Sequence, residues 1–286
     1  MVIAITGSGG FLGRALVHKL RQDAANSVIE IEVSTGWDIL DKPELEKKLR
    51  EFDILIHLAA LTFVPESYKR PYDFYNVNLV GTLNMLEICR TRNKPIVYMS
   101  SYMYGHPQYL PIDENHSLSA VNPYGQSKLM GEELCRAYAR DFQLSVVALR
   151  LFNLYGPGQT DNFLLSKIVK QAMAGDEIKL NDHRPRRDFI FIDDVVNALI
   201  KIVAIFNSIK GFNCYNIGYG ASHSIGDVIE IVRKFYPDIT VSFSGEQRPD
   251  EILDTVSNID KAKKELSWKP LVALEAGIAE MIKYNQ

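Results

Sequence analysis

The sequence predicts an α/β fold: a doubly wound parallel sheet with a smaller, interleaved C-terminal domain. Three observations carry that prediction. The chain opens on a short apolar run, Val2–Ile5, which passes glycines at Gly7, Gly10 and Gly13 and enters a helical repeat at Leu12, Ala15, Leu16 and Leu20. Short apolar runs and helical stretches then alternate as far as Leu149, as strands joined by crossover helices do. Beyond Asn153 the texture changes, with Gly156, Pro157 and Gly158 breaking the chain before a basic stretch at Arg184–Asp188. The expected partition is 1–152 with 183–209 for the sheet domain, and 153–182 with 210–286 for the smaller one.

The glycines have separate physical tasks. Gly7 permits a tight strand-to-helix turn, Gly10 admits a pyrophosphate close to the backbone, and Gly13 lets the helix pack closely. The helix start at Phe11 and Leu12 then directs free N–H groups and a positive dipole end at phosphate. The opening stretch therefore predicts a bound dinucleotide.

The next strand is expected over Val28–Ser34. An acid at the end of such a strand binds adenosine ribose hydroxyls and repels a 2′-phosphate. Glu32 is that acid, which favours NAD(H), while Ser34 and Thr35 keep NADP(H) open. Asp38 and Ile39 follow almost at once, with Asp38 in reach of an adenine edge. Pro43 opens a short helix with Leu45, Leu49 and Phe52 on one face. The strand Phe52–Leu58 ends in Leu58, Ala59 and Ala60, small enough to leave room for phosphates, and His57 reads as a packed strand histidine. A long helix over Tyr72–Arg92 carries Asn78, which either faces the cofactor groove or lies on the helix surface.

A strand over Ile96–Ser100 runs into Ser100 and Ser101. Then come a loop over Pro107–Pro123, a helix from Tyr124 to about Asp141, and a strand over Leu144–Leu149. In the second half, helices are expected over Phe163–Ala174, Asp193–Phe206 and Ile225–Tyr236, with two more at the C-terminus. Strands are expected at Phe189–Ile192, near Tyr215–Ile217 and near Thr240–Phe243.

Composition narrows the function. A net charge of −3 without a polybasic run argues against nucleic acid. No stretch is apolar for long enough to span a membrane, and no signal-peptide layout precedes the first strand. Cys89, Cys135 and Cys214 are scattered and odd in number, which suggests neither a disulfide framework nor a metal site. The expectation is a soluble, reduced, cytoplasmic protein.

Chemistry concentrates at Tyr124-Gly125-Gln126-Ser127-Lys128. Tyr124 and Lys128 share one helix face. A nearby ammonium favours phenolate and should lower the tyrosine pKa, making Tyr124 a proton donor or acceptor near neutrality. Lys128 can also hold a nicotinamide ribose. Ser100, at the end of the preceding strand, can polarise the same substrate oxygen.

These residues belong to a wider pattern. It comprises Thr6-Gly7-x-x-Gly10-Phe11-x-Gly13, His57-Leu58-Ala59-Ala60, Asn78-x-x-Gly81-Thr82 and Asn122-Pro123-Tyr124-x-x-Ser127-Lys128. It continues through Arg150-x-Phe152-Asn153-x-Tyr155-Gly156-Pro157-Gly158 and Arg187-Asp188-Phe189-Ile190-x-Ile192-Asp193-Asp194. The chain resembles the extended short-chain dehydrogenase/reductases of the NAD-dependent epimerase/dehydratase type, which act on nucleotide-sugars on a Rossmann sheet. The resemblance implies a catalytic Ser100, Tyr124 and Lys128, with Ser101 also on the substrate. It implies diphosphate contacts from Asn153, Arg187 and Arg248, with arginine suited by its bidentate fork. It also implies a homodimer through a four-helix bundle of Tyr72–Arg92 and Tyr124–Asp141, using Leu83, Leu86, Leu129 and Leu134.

Two departures from the family pattern matter. Its dehydratases follow the catalytic hydroxyl with an Asp-Glu pair, whereas Ser101 and Tyr102 stand here, which argues against 4,6-dehydration. Leu180–Arg187 is short and lacks the usual aromatic and Gly-Asp-Gly, so the nucleotide base cannot be read. Two reactions remain. Only a few residues separate Glu32 from Asp38, too few to wrap and retain the adenosine, so the first expectation is an NAD(P)H-dependent 4-ketoreductase of a nucleotide 4-keto-6-deoxyhexose. The alternative is a nucleotide-sugar 4-epimerase. A non-catalytic NAD(P) sensor would have lost the Tyr124–Lys128 pair.

Overall fold

Strand β1 (Val2–Thr6) is buried from Ile3 onward, which accounts for its unbroken apolar run. It is a central strand covered on both faces. It pairs in parallel with β2 (Ser27–Ile31) on one side and β3 (Ile54–His57) on the other. Parallel pairing continues from β3 to β4 (Ile96–Ser101) and from β4 to β5 (Val146–Leu151). Strand Phe212–Ile217 completes a six-stranded parallel sheet beside β5. The chain leaves β1 for β2 at one edge and returns across β1 to reach β3. The reversal opens a crevice at the carboxyl ends of β1 and β3, the position where ligands bind in such sheets. The structure is a computed structural model and describes residues 1–246 and 251–286.

Helices α1 (Phe11–Leu20), α2 (Lys42–Lys48), α3 (Val64–Lys69), α4 (Pro71–Tyr75), α5 (Gly81–Arg92) and α6 (Pro123–Phe142) flank the sheet. Helix α2 starts where Asp41 Oδ1 accepts the Glu44 N–H at 3.2 Å, with Pro43 in its first turn. Helix α6 starts in the same way, on an Asn122 side chain that accepts the Gly125 N–H at 2.8 Å. It ends at Gln143 in the left-handed region, with φ of 56°. The long helix expected over Tyr72–Arg92 is not a plain α-helix, because Asn76–Val80 forms a π turn. The wider turn leaves the Asn78 carbonyl to accept the Thr82 hydroxyl at 2.6 Å. Beneath the helices lie Leu45, Leu55, Met85, Leu86, Tyr98 and Ala148.

The chain divides into two compact units: Met1–Gly105 with Ser117–Leu151 and Val196–Asn216, and His106–His116 with Phe152–Val195 and Ile217–Gln286. The expected boundaries differ from these in three places. Strand Phe212–Ile217, assigned by sequence to the smaller domain, is a strand of the large sheet. His106–His116 falls in the second unit, where Ile112 bridges Ser257. Residues 183–195 also group there.

In the second unit, Asn153–Tyr155 pairs in parallel with Phe189–Phe191. Arg186–Arg187 lies between His223–Ser224 and Asp254–Thr255, and Ile178–Leu180 pairs with Val241–Phe243. Asp188 organises this unit from full burial. Its carboxylate accepts the N–H groups of Tyr219, Gly220 and Ser257 and the Ser257 hydroxyl, at 2.6–3.0 Å. Burial still raises its pKa against those bonds.

All three cysteines are buried and in the thiol form, and burial pushes the Cys89 and Cys135 thiols up. Among the described residues no helix is long and apolar enough to cross a membrane, and no acidic, histidine or cysteine cluster is arranged to hold a metal ion.

Candidate active site

The loop after β1 has the geometry of a phosphate cradle. Gly7 takes a φ of +67°, and a Cβ there would lie 2.8 Å from the Ala59 backbone, so glycine is required twice over. A Cβ on Gly13 would fall 2.1 Å from the Gly7 carbonyl oxygen, so the helix closes on the loop itself. No side chain caps the start of α1 at Gly10, and its first N–H groups remain available to an anion. Ser8 Oγ is buried here without a hydrogen-bond partner. Glu32, just after β2, folds back so that Oε2 accepts the Gly9 N–H at 2.9 Å. A pyrophosphate fits this loop, and a ribose fits the acid beside it.

The other expected cofactor contacts divide. Leu58, Ala59 and Ala60 are half-buried after β3, next to Gly7. Asp38 is exposed and caps Leu40 N–H at 2.9 Å. The side chains of Ile39 and Leu12 are buried in the core, and Ile39 packs against Gly81. Asn78 neither faces a groove nor lies on the surface. It is fully buried, with Oδ1 accepting the Leu61 N–H at 2.8 Å and Nδ2 donating to the Leu61 carbonyl at 3.0 Å and Ser127 Oγ at 2.8 Å. Its amide ties the loop after β3 to α6.

A buried chain of hydrogen bonds joins these parts. Thr82 donates to the Asn78 carbonyl and must therefore accept from His57 Nε2, at 3.0 Å. Nδ1 of His57 then accepts from Thr6 Oγ1 at 2.7 Å, and Thr6 Oγ1 accepts the Ala59 N–H at 3.2 Å. Burial, aided by Lys128, lowers the His57 pKa to about 3, which fixes a neutral ring. The packed strand histidine is thus the link between glycine loop and π turn.

The reacting groups lie where β4 meets the start of α6. Lys128 is 4 % exposed, and its Nζ sits 4.2 Å over the Tyr98 ring. Burial lowers its pKa to about 7, opposed by Cys135 and Glu132. Tyr124 is half-buried, and the Ser101 hydroxyl beside it favours the phenolate. Contrary to expectation, its pKa is raised. Burial outweighs the Ser101 hydroxyl, and the ammonium of Lys128 lies over Tyr98.

Ser100 does not reach this site. It is 3 % exposed, and its Oγ donates to Glu132 Oε2 at 2.7 Å. Strand alternation explains the exchange of roles: Ser100 shares its face with Tyr98, under α6, and leaves Ser101 at the strand end. Ser101 is therefore the hydroxyl beside Tyr124. Tyr102 and Met103 then follow it, still without the Asp-Glu pair of a dehydratase. The doublet Ser100-Ser101 and the position of Tyr98 were the available signals.

In the second unit, Asn153 Nδ2 donates to the Asp188 carbonyl at 3.1 Å. Arg187 does not present a free fork. Nη1 donates to the carbonyls of Arg186 and Ile252, at 2.8 and 2.7 Å, and Nη2 is ion-paired with Glu251. A diphosphate contact there would compete with Glu251. Arg248 lies outside the described residues.

The position of Glu32 carries a prediction. Glu32→Ala should reduce the kcat/KM preference for NAD(H) over NADP(H) by about 10- to 100-fold, the loss of a charged hydrogen bond and a charge repulsion. Steady-state kinetics with both cofactors test it, and an unchanged ratio would remove Glu32 from cofactor choice.

Comparison with known proteins extends this picture. A putative UDP-glucose 4-epimerase of Methanocaldococcus jannaschii is 30 % identical over 313 residues, covering 99 % of this chain and 98 % of the relative. UDP-glucose 4-epimerase 2 of Arabidopsis thaliana is 31 % identical, covering 98 % and 93 %. Among solved structures, the UDP-glucuronic acid 4-epimerase from Bacillus cereus, in complex with UDP-glucuronic acid and NAD, superposes with a TM-score of 0.91. Its identity is 28 %, with coverage of 99 % and 98 %. The model of the NAD dependent epimerase/dehydratase family matches residues 3–218. The chain therefore belongs to that family of nucleotide-sugar enzymes, whose cofactor is NAD.

Proposed function

We propose that the protein is a nucleotide-sugar 4-epimerase. The observation that carries this reading is the placement of Ser101 beside Tyr124, one helical turn from the buried Lys128, in a chain whose relatives bear 4-epimerase names. NAD supplies a hydride acceptor that can return the hydride to either face of the sugar. The protein's part is proton handling. Tyr124 starts as the phenolate, takes the proton of the C4 hydroxyl as hydride leaves C4, and as the phenol returns it to the C4 oxygen when the hydride comes back, while Ser101 orients the phenol and shares the C4 oxygen. Lys128, whose pKa of about 7 leaves it charged below neutrality, favours the phenolate with which the cycle starts.

The short connection between Glu32 and Asp38 supports a second reading, the 4-ketoreductase. It contains only a 3-10 turn, Val33–Thr35, followed by exposed Gly36 and by Trp37. The epimerase must hold NAD through each cycle, which requires slow dissociation, while a reductase releases it. Purified protein is expected to carry bound NAD and to interconvert UDP-hexose 4-epimers without net NADH. Absence of bound NAD, with NADH consumed one for one on a 4-keto-6-deoxyhexose nucleotide, would establish the reductase instead.

We also propose self-association through α5 and α6. Leu83, Leu129, Met130 and Leu134 line one apolar groove with Leu79 and Val80, whereas Leu86, expected on this face, is fully buried in the core. Sedimentation at micromolar concentration should give a dimer, and Leu129→Glu a monomer. A monomeric wild-type protein would refute the interface.

A further inference from the structure

Glu132 lies four residues beyond Lys128 and eight beyond Tyr124, on the same face of α6. It is fully buried, as is Arg150 of β5 at 2 % exposure. Arg150 Nη2 donates to Glu132 Oε1 at 2.6 Å, and Nε lies 3.2 Å from both carboxylate oxygens. Ser100 of β4 donates to Oε2 at 2.7 Å. The partly exposed Arg136 stands 3.6 Å from Oε1. Arg150 Nη1 reaches on to Tyr104 Oη at 3.0 Å.

A buried ion pair of this kind is weak evidence for stability, because desolvation offsets its attraction. What a bidentate fork contributes is geometry. A second anchor adds to it: Tyr98 Oη donates to the Lys128 carbonyl at 3.1 Å. A Cβ on Gly131 would lie 2.4 Å from that hydroxyl, so helix and strand are in close contact here. The helix is thus pinned to β4 at Lys128 and to β4 and β5 at Glu132.

We infer that Glu132 is a positioning residue, whose carboxylate, clamped by Arg150 and Ser100, sets the height of Tyr124 and Lys128 against the strand end that carries Ser101. The inference rests on the reading of Tyr124, Lys128 and Ser101 as the reacting groups. Ser100 acts through Glu132, one residue from the hydroxyl beside Tyr124. A small displacement of a reacting group is enough to lower a rate by about 100-fold.

The test uses Glu132→Gln, Ser100→Ala and Ser100→Thr. The first two should lower kcat about 10- to 100-fold, with KM and NAD affinity unchanged. Ser100→Thr, which keeps the hydroxyl, should restore kcat. Hydrogen exchange across Tyr124–Glu132, which needs no turnover, should rise in the first two variants and stay at the wild-type rate in the third. If Glu132→Gln fails to fold, Ser100→Ala decides. A lowered Tm with kcat and exchange at wild-type values would overturn the inference, since the clamp would then be structural only. If the wild-type protein turns over no nucleotide-sugar, the proposed function fails alone, and exchange still decides the clamp.

Discussion

Tyr124→Phe is expected to abolish turnover, by about 10²- to 10⁴-fold, while NAD binds as it does to the wild-type protein. The phenol carries the proton, and the ring packs edge-on against Phe74 at 6.5 Å between centroids, a contact that phenylalanine keeps. Ser101→Ala should follow with a smaller loss in kcat, because it removes the hydroxyl beside that phenol which favours the phenolate. Kinetics with calorimetric NAD binding separate the roles. Substantial activity in Tyr124→Phe would remove Tyr124 from the chemistry.

Lys128→Met is expected to cost turnover about 100-fold or more and to raise Tm. The unfolded chain keeps this ammonium protonated up to the usual lysine range, near 10.4. The folded protein releases the proton near 7. Between those values the unfolded state binds more protons, so this group's contribution makes stability rise with pH. Methionine fills a similar volume beside the Tyr98 ring with no charge to desolvate. Thermal unfolding should therefore show a higher Tm at pH 7 and a flatter rise of stability from pH 7 to 10 in the variant. A lower Tm at pH 7 would mean that the cation–π contact outweighs desolvation.

Local features of the site were legible in the chain. The glycine loop is prescribed by what a Cβ would strike at Gly7 and Gly13, and the Tyr124–Lys128 spacing by helix geometry. The Asn122 cap marks where that helix begins. Choices between neighbours were not legible. Ser100 and Ser101 are chemically identical, and only the face that α6 covers decides which one reaches Tyr124. Asn78 looked free to meet a ligand because its partners, Leu61 and Ser127, are distant in sequence. The same holds for Phe212–Ile217, whose membership in the large sheet depends on pairing with β5 from far along the chain. Lys128 misled in another way. Its spacing from Tyr124 is right, but burial, invisible in sequence, sets both pKa values.

The most direct test of the central claim is NMR analysis of the sugar products after UDP-glucose, UDP-galactose and UDP-glucuronic acid are incubated with the protein in D2O, with absorbance followed at 340 nm. The account predicts equilibration of at least one substrate with its C4 epimer, no deuterium at C4, and no net NADH, because the hydride never leaves the site. Deuterium at C4, or a product formed only with stoichiometric consumption of NADH, would contradict it.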